Sequence, residues 1–169
     1  MPVSVLVAYA SKYGATQEIA EKIGQTLQSV GLEVAITSAD QVADPEGYDA
    51  VILGSAVYAG MWRKQAIQFL EENESSLSSK PTWFFSSGPT DEGDPVELLK
   101  GWRFPEAQQP IADRIQPRDI TVFHGSLDPS RLNFAERMII KGIKAPTGDF
   151  RDWEIVQNWA QSIARELQN

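Results

Sequence analysis

The sequence predicts an α/β fold, a doubly wound parallel sheet of five strands with helices on both faces. Short β-branched and aromatic runs alternate along the chain with longer segments of helical periodicity. That alternation implies right-handed strand–helix–strand crossovers and a sheet covered on both sides. Five such strands within 169 residues match the small kind of doubly wound sheet. No internal repeat, low-complexity tract or linker interrupts the pattern, so residues 1–169 read as one domain. At that length roughly 70% of the unfolded chain's surface can be buried.

Residues 3–9 read as the first, buried strand. Residues 16–30 follow as a helix with Ile19, Ala20, Ile23 and Leu27 on one face, stopped by Gly31. The second strand covers residues 32–37, and a short helical turn at 41–43 ends before Pro45. Val51, Ile52 and Leu53 lead the third strand at 50–55, and the helix at 64–73 carries Ala66, Ile67, Phe69 and Leu70. The fourth strand, 82–87, opens after Pro81 with Trp83, Phe84 and Phe85, which read as sheet core. A fifth strand spans 120–125, where His124 reads as structural, and a final helix spans 153–167, pinned to the sheet by Trp153 and Trp159. Two connections exceed what the fold requires: residues 88–117, with helical stretches at 95–100 and 110–115, and residues 126–152. Long connections of this kind either carry function or merely pack.

Composition narrows the chemistry. Hydrophobic residues make up 42% and charged residues 22%, an ordinary globular mixture. The absence of cysteine excludes disulfides, thiolate metal sites, iron–sulfur ligation and a cysteine nucleophile. His124 is the single histidine, which argues against a multi-histidine metal site, so no metal is expected. A net charge of −8 argues against a nucleic-acid partner. The apolar run at 3–10 lacks a basic leader and is too short to span a bilayer, so a cytoplasmic protein is expected, with contact at the inner face of the cell membrane left open. Residues 1–100 hold 6 Lys and Arg against 14 Asp and Glu, whereas residues 101–169 hold 9 of each. Within that second part Arg131, Arg137, Lys141, Lys144 and Arg151 face only Glu136 and Asp149, a local +3. Such a run marks either a contact surface or a solvated face.

The sharpest local signal is Ser11-Lys12-Tyr13-Gly14-Ala15-Thr16, between the first strand and the first helix. A turn there aims unpaired backbone N–H groups and the positive end of a helix at one point, which suits a phosphate. Ser11, Tyr13 and Thr16 add hydroxyl donors, and Gly14 permits close approach or a positive φ. The alternative is a plain helix cap by Ser11 or Thr16, with Glu18 or Glu21 at the positive end. The turn is neither a Walker loop nor a G-x-G-x-x-G dinucleotide turn.

The run Ala8-Tyr9-Ala10-Ser11-Lys12-Tyr13-Gly14-Ala15-Thr16 closely resembles the flavodoxin pattern S/T-x-T/Y-G-x-T. Two further loops fit that family: Gly54-Ser55-Ala56-Val57-Tyr58-Ala59-Gly60 after the third strand and Ser86-Ser87-Gly88-Pro89-Thr90 after the fourth. The resemblance spans nearly the whole chain. It implies a strand order of 2-1-3-4-5 and FMN at the carboxyl ends of strands one, three and four. It places the phosphate on residues 11–16 and the isoalloxazine ring between residues 55–62 and 86–90. Tyr58 and Trp62 are candidates to stack on the ring, Trp62 having a partner-facing surface position as its alternative, and backbone near Gly54, Ala59 and Gly60 would meet the ring edge.

The C-terminal third resembles the menaquinone-dependent protoporphyrinogen dehydrogenases. The matching pieces are Gly125-Ser126-Leu127 after strand five, Met138-Ile139-Ile140-Lys141-Gly142-Ile143-Lys144, and the run from Asp152 and Trp153 into the last helix. That resemblance implies an FMN-dependent oxidoreductase passing electrons from a tetrapyrrole through flavin to a quinone, with the chemistry on the flavin and no side-chain acid or base named. Residues 131–144 mix the bases with Leu132, Phe134, Met138, Ile139, Ile140 and Ile143. This basic amphipathic segment suits an anionic membrane or the propionates of a porphyrin, or else an ordinary helix with its apolar side inward. Two alternatives stand beside the dehydrogenase: a flavodoxin-type carrier whose acidic surface steers it to a basic redox partner, and an NAD(P)H:quinone reductase.

Overall fold

The computed structural model describes residues 2–42 and 44–169. Its elements run β1 (Ser4–Ala10), α1 (Ala15–Ser29), β2 (Glu33–Ser38), β3 (Ala50–Tyr58), β4 (Met61–Trp62), α2 (Lys64–Glu72), α3 (Glu74–Ser78) and β5 (Thr82–Ser87). There follow α4 (Pro95–Leu98), α5 (Gln109–Ile115), β6 (Asp119–Phe123), β7 (Ser126–Leu127), α6 (Phe134–Ile143), β8 (Gly148–Asp149) and α7 (Trp153–Gln168). The five long strands pair in parallel in the order β2-β1-β3-β5-β6, which is the expected order 2-1-3-4-5 counted over those strands alone.

The period-2 geometry of a strand explains why β1 is apolar almost throughout. Val5 and Val7 point to the face covered by α1 and α7, where they meet Ile19, Ile23, Leu27, Val156 and Ile163. Leu6, Ala8 and Ala10 point to the other face, against Phe69 and Leu70 of α2, Leu77 of α3 and Ile115 of α5. Each Val, Leu, Ile or Phe side chain fully buried in this way contributes about 1.5–3 kcal/mol against exposure. Trp83, Phe84 and Phe85 are core as expected, at 2%, 0% and 0% exposure. Trp159 fastens α7: its ring meets Phe85 and Phe123 edge-on, and its Nε1 donates to Asp119 Oδ2 at 2.8 Å.

Several elements depart from the sequence expectation. β3 continues three residues past Ser55, then turns back through Ala59 (φ 52°) and Gly60 (φ 74°) into β4, pairing Tyr58 with Met61. Two successive positive φ values make the mirror-image turn that matches strand twist, so the segment expected to be a loop is a hairpin. The turn near residue 41 is a 3-10 turn at Ala39–Gln41, and Ala43, the expected end of that turn, lies outside the described residues. The long connection after β6 begins and ends as a ribbon: Ser126 lies opposite Asp149 and Leu127 opposite Gly148. No helix among the described residues is long and apolar enough to cross a membrane.

Candidate functional site

A cavity of about 370 Å³ opens at the carboxyl ends of β1, β3, β5 and β6. That is where the order of the parallel strands reverses and the loops diverge, the place where such sheets take their ligands. Ser11, Lys12, Tyr13, Ala15 and Thr16 line its floor. Ala56, Val57 and Tyr58 of β3 line one side, with Ser87, Gly88 and Thr90 beside them.

The turn after β1 is built to leave donors unused. Gly14 is the N-cap of α1 at φ 93°, and no side chain caps the helix. The Ser11 hydroxyl accepts from the Gly14 amide at 3.0 Å, closing the turn without reaching the helix proper. Neither Ser11 nor Thr16 acts as the cap that the plain reading of the turn expects. The first-turn amides of α1 therefore keep their partial positive charge for a ligand. Thr16 and Ser87, at 2% and 4% exposure, supply buried hydroxyls on the cavity wall. Tyr58 is 46% exposed and stands at the rim; burial of its inner part pushes its phenol up, so it stays protonated.

Other candidates lie off the cavity. Ser55 is fully buried, its hydroxyl accepting from the Arg63 amide at 2.9 Å and donating to the Ala56 carbonyl at 2.8 Å. Ser86 accepts from Trp62 Nε1 at 2.8 Å. Trp62 is neither on the surface nor at the rim: at 3% exposure it sits edge-on to Phe84 and Phe104, because β4 folds it back under the sheet. Gly54 sits in mid-strand, where a Cβ would fall 2.0 Å from the Phe85 ring, so its bareness serves packing. Ala59 and Gly60 form the hairpin turn, and Pro89 O accepts from the Gly125 amide at 2.9 Å. His124 is tied in place, its Nε2 lying 2.7 Å from Gly93 O and its Nδ1 3.3 Å from Pro89 O. Gly125 is needed for close approach, since a Cβ there would meet Gly88 O at 3.0 Å.

A further side of the cavity comes from the insert between β6 and α7, which the sequence marks as a long connection and a basic amphipathic segment without placing it at the site. Gly125, Ser126 and Leu127 approach from the end of β6, and Leu132, Glu136, Ile139 and Ile140 close the wall. Glu136 is the fastening. One carboxylate oxygen takes the Lys12 ammonium at 2.7 Å and the Tyr13 hydroxyl. The other accepts from the Asn133 amide, completing a capping box at the start of α6. The Lys12 ammonium and then the Tyr13 hydroxyl pull the Glu136 carboxyl down to about 2, while Glu136 and then Tyr13 raise Lys12. Arg131 donates to the Tyr13 carbonyl and lies beside Gly14. Arg151, its side chain only 8% exposed, reaches the Ala15 carbonyl at 3.1 Å while Asp149 holds it at 2.7 Å. Asn133 followed three residues later by Glu136 is a helix-start signature, which marks where α6 begins but not what Glu136 reaches. No cluster suited to a metal ion occurs among the described residues.

A family model for the flavodoxin domain matches residues 6–154. The chain is 25% identical over 180 residues to protoporphyrinogen IX dehydrogenase [quinone] of Escherichia coli strain K12, covering 94% of this chain and 93% of that one. It is 26% identical over 130 residues to the Leishmania major protein of the same name, covering 69% of this chain and 54% of that one. Among solved structures it resembles a flavodoxin from the domain Archaea, with a TM-score of 0.66 at 14% identity over 99% of this chain and 100% of the other. Oxidised flavodoxin 2 from Bacillus cereus is similar, with a TM-score of 0.63 at 22% identity over 97% and 99% of the two chains.

Proposed function

The chain belongs to the flavodoxin domain family, and from that premise we propose that it is an FMN-dependent oxidoreductase that moves electrons from protoporphyrinogen to a quinone. FMN is the cofactor that family and fold indicate. The donor set fits it: uncapped helix amides and the Thr16 and Ser87 hydroxyls are what a phosphate and a polyol chain require. The volume of the cavity suits a ligand of that size.

In this reading the amides of residues 11–16 and the Ser11 and Thr16 hydroxyls bind the phosphate, the Tyr13 hydroxyl being given to Glu136. Tyr58 and the loop bearing Ser87, Gly88 and Thr90 flank the ring, and Ser55, Ser86, Ala59, Gly60 and Pro89 hold those walls in shape. Lys12 is committed to Glu136, so the amides carry the anion without it. FMN, when bound, supplies the redox chemistry, and the protein sets its access and surroundings. Leu132 and Ile140 cover one flank, with Ile139 at its outer edge.

The observation that supports a dehydrogenase over a simple carrier is that insert-borne wall. A protein that only exchanges electrons through an exposed ring edge has no use for an apolar wall, whereas one that seats a bulky apolar substrate does. The carrier reading is favoured instead by the acidic first hundred residues, which suit a basic protein partner. Anaerobic incubation of the FMN-loaded protein with protoporphyrinogen IX and a soluble menaquinone analogue decides between them. Porphyrin fluorescence rises only with protein and quinone together if the dehydrogenase reading holds. No rise above the enzyme-free rate, with FMN bound, overturns it and leaves the carrier.

A further inference from the structure

Helix α6 does not turn its apolar side inward as the sequence allows: none of its residues is buried. Charged groups tie the insert to the rest of the molecule instead, and three of them converge on the turn after β1. Glu136 takes Lys12 and Tyr13. Arg131 donates to the Tyr13 carbonyl, and Arg151 Nη1 donates to the Ala15 carbonyl at 3.1 Å. The two arginines stand on opposite limbs of the insert, one ahead of α6 and one just after β8, and the β7–β8 ribbon holds those limbs together.

Neither arginine lines the main cavity. Both line a smaller cleft of about 90 Å³, which shares Tyr13 and Ala15 with it. They touch the turn and not the space a ligand would fill. Arg151 is firmly placed for this. Its side chain is 8% exposed, Asp149 takes its Nε at 2.8 Å and its Nη2 at 2.7 Å, and the guanidinium lies 4.7 Å from the centre of the Trp153 ring. The remaining nitrogen, Nη1, goes to Ala15 O and to Glu18 at 3.3 Å.

Each contact begins a chain of donors. In a trans peptide the C=O and N–H point in opposite directions, so a carbonyl held from one side aims its amide to the other. The amide paired with Ala15 O is that of Thr16. The first internal bond of α1 runs from the Glu18 amide to Gly14 O, which leaves the Thr16 amide free for an anion. The amide paired with Tyr13 O is that of Gly14, which donates to the Ser11 hydroxyl at 3.0 Å and leaves the proton of that hydroxyl to donate onward. Hydrogen bonds linked in this way polarise one another. Asp128, Asp149 and Glu18 offset much of the arginines' charge, so the turn receives orientation and polarisation more than net charge. The turn's own cation, Lys12, is engaged by Glu136.

We infer that Arg131 and Arg151 are positioning residues for the flavin phosphate: from the insert they hold the Tyr13 and Ala15 carbonyls and thereby fix the donors at Ser11 and Thr16. The inference rests on FMN as the cofactor and not on the electron donor or acceptor proposed above. It makes the insert part of cofactor retention as well as a wall of the cavity.

The test titrates the full chain, freed of flavin, with FMN and with riboflavin, which lacks only the phosphate, and reads both Kd values from the quenching of flavin fluorescence. The parent binds FMN more tightly than riboflavin. Arg131→Met, at a side chain 56% exposed, raises the FMN Kd about tenfold and leaves the riboflavin Kd unchanged. Arg151→Lys keeps the charge but cannot clasp Asp149 and reach Ala15 O together, and it raises the FMN Kd about threefold with the same selectivity. Both losses persist in about 0.5 M salt, where exposed charges are screened, and in both variants the phosphorus NMR resonance of bound FMN shifts. Equal weakening of FMN and riboflavin, the result of a merely structural role, overturns the inference. An unchanged FMN Kd does so too, as does a loss that vanishes in salt. A parent that binds riboflavin as tightly as FMN removes the phosphate site and the inference with it. Porphyrinogen turnover enters none of these readouts, so a failure of the dehydrogenase reading is seen separately.

Discussion

Helices α1 and α6 are both amphipathic, yet one turns its apolar side to the sheet and the other turns it to solvent. Ile19, Ala20, Ile23 and Leu27 of α1 are fully buried, while α6 buries nothing. Periodicity states that a helix has an apolar side; it does not state what lies opposite. α1 follows β1 directly and must close over the sheet. α6 stands in a connection fixed at both ends, and a carboxylate decides its orientation.

The largest effect expected from this contrast is in the core. Ile23→Ala removes a fully buried side chain and lowers stability in urea unfolding by about 3 kcal/mol. Ile143→Ala, at a position 68% exposed, changes stability by no more than about 0.5 kcal/mol. Equal losses at the two positions would erase the distinction between the helices.

A subtler test uses one substitution with opposite signs. A Cβ at Gly24 of α1 would fall 2.3 Å from Ile36 Cδ1, whereas nothing lies within 4 Å of one at Gly142 of α6. Gly24→Ala forces Ile36 to move and costs about 1–2 kcal/mol after the helix-propensity gain is counted. Gly142→Ala meets no neighbour and gains up to about 1 kcal/mol in α6. Calorimetry and amide exchange read the two; a stabilised Gly24→Ala variant would show that α1 has slack against β2.

The smallest effect concerns acid. Glu136 sits well below the usual carboxylate value of 4.5, at about 2, held there first by Lys12 and then by Tyr13. A depressed carboxyl stabilises the fold fully above its unfolded value and loses that contribution as pH falls through the folded one. The α6 fastening therefore holds at neutral pH and weakens from about 4.5 downward, gone below about 2. An NMR titration should find the Glu136 carboxyl and the α6 amides moving together with a low midpoint while α1 stays still. A midpoint near 4.5 would mean the latch does not form in solution.

The contrast also shows what was legible in the sequence. Strands such as β5, expected at 82–87 and found at Thr82–Ser87, are readable because burial on both faces leaves a continuous apolar run. The turn at residues 11–16 is readable because the chain enters α1 through Gly14 at φ 93° and the Ser11 hydroxyl closes the turn on the Gly14 amide. Trp62 was not, since its burial depends on a hairpin that reverses at Ala59 and Gly60 and tucks it beneath Phe84. Glu136 was not either: its partners lie 123 and 124 residues away along the chain, beyond the reach of any local pattern.

The ribbon of β7 and β8 has a consequence for how this molecule can change over generations. By pairing Ser126 with Asp149 and Leu127 with Gly148, it brings the departure and return of the chain to the same point. Whatever is strung between them is invisible to the sheet, because neither β6 nor α7 registers its length. Lengthening such an excursion costs only about 0.6 kcal/mol per doubling. The stretch can change length without disturbing the sheet, while Leu132 and Glu136 within it stay tied to the cavity wall.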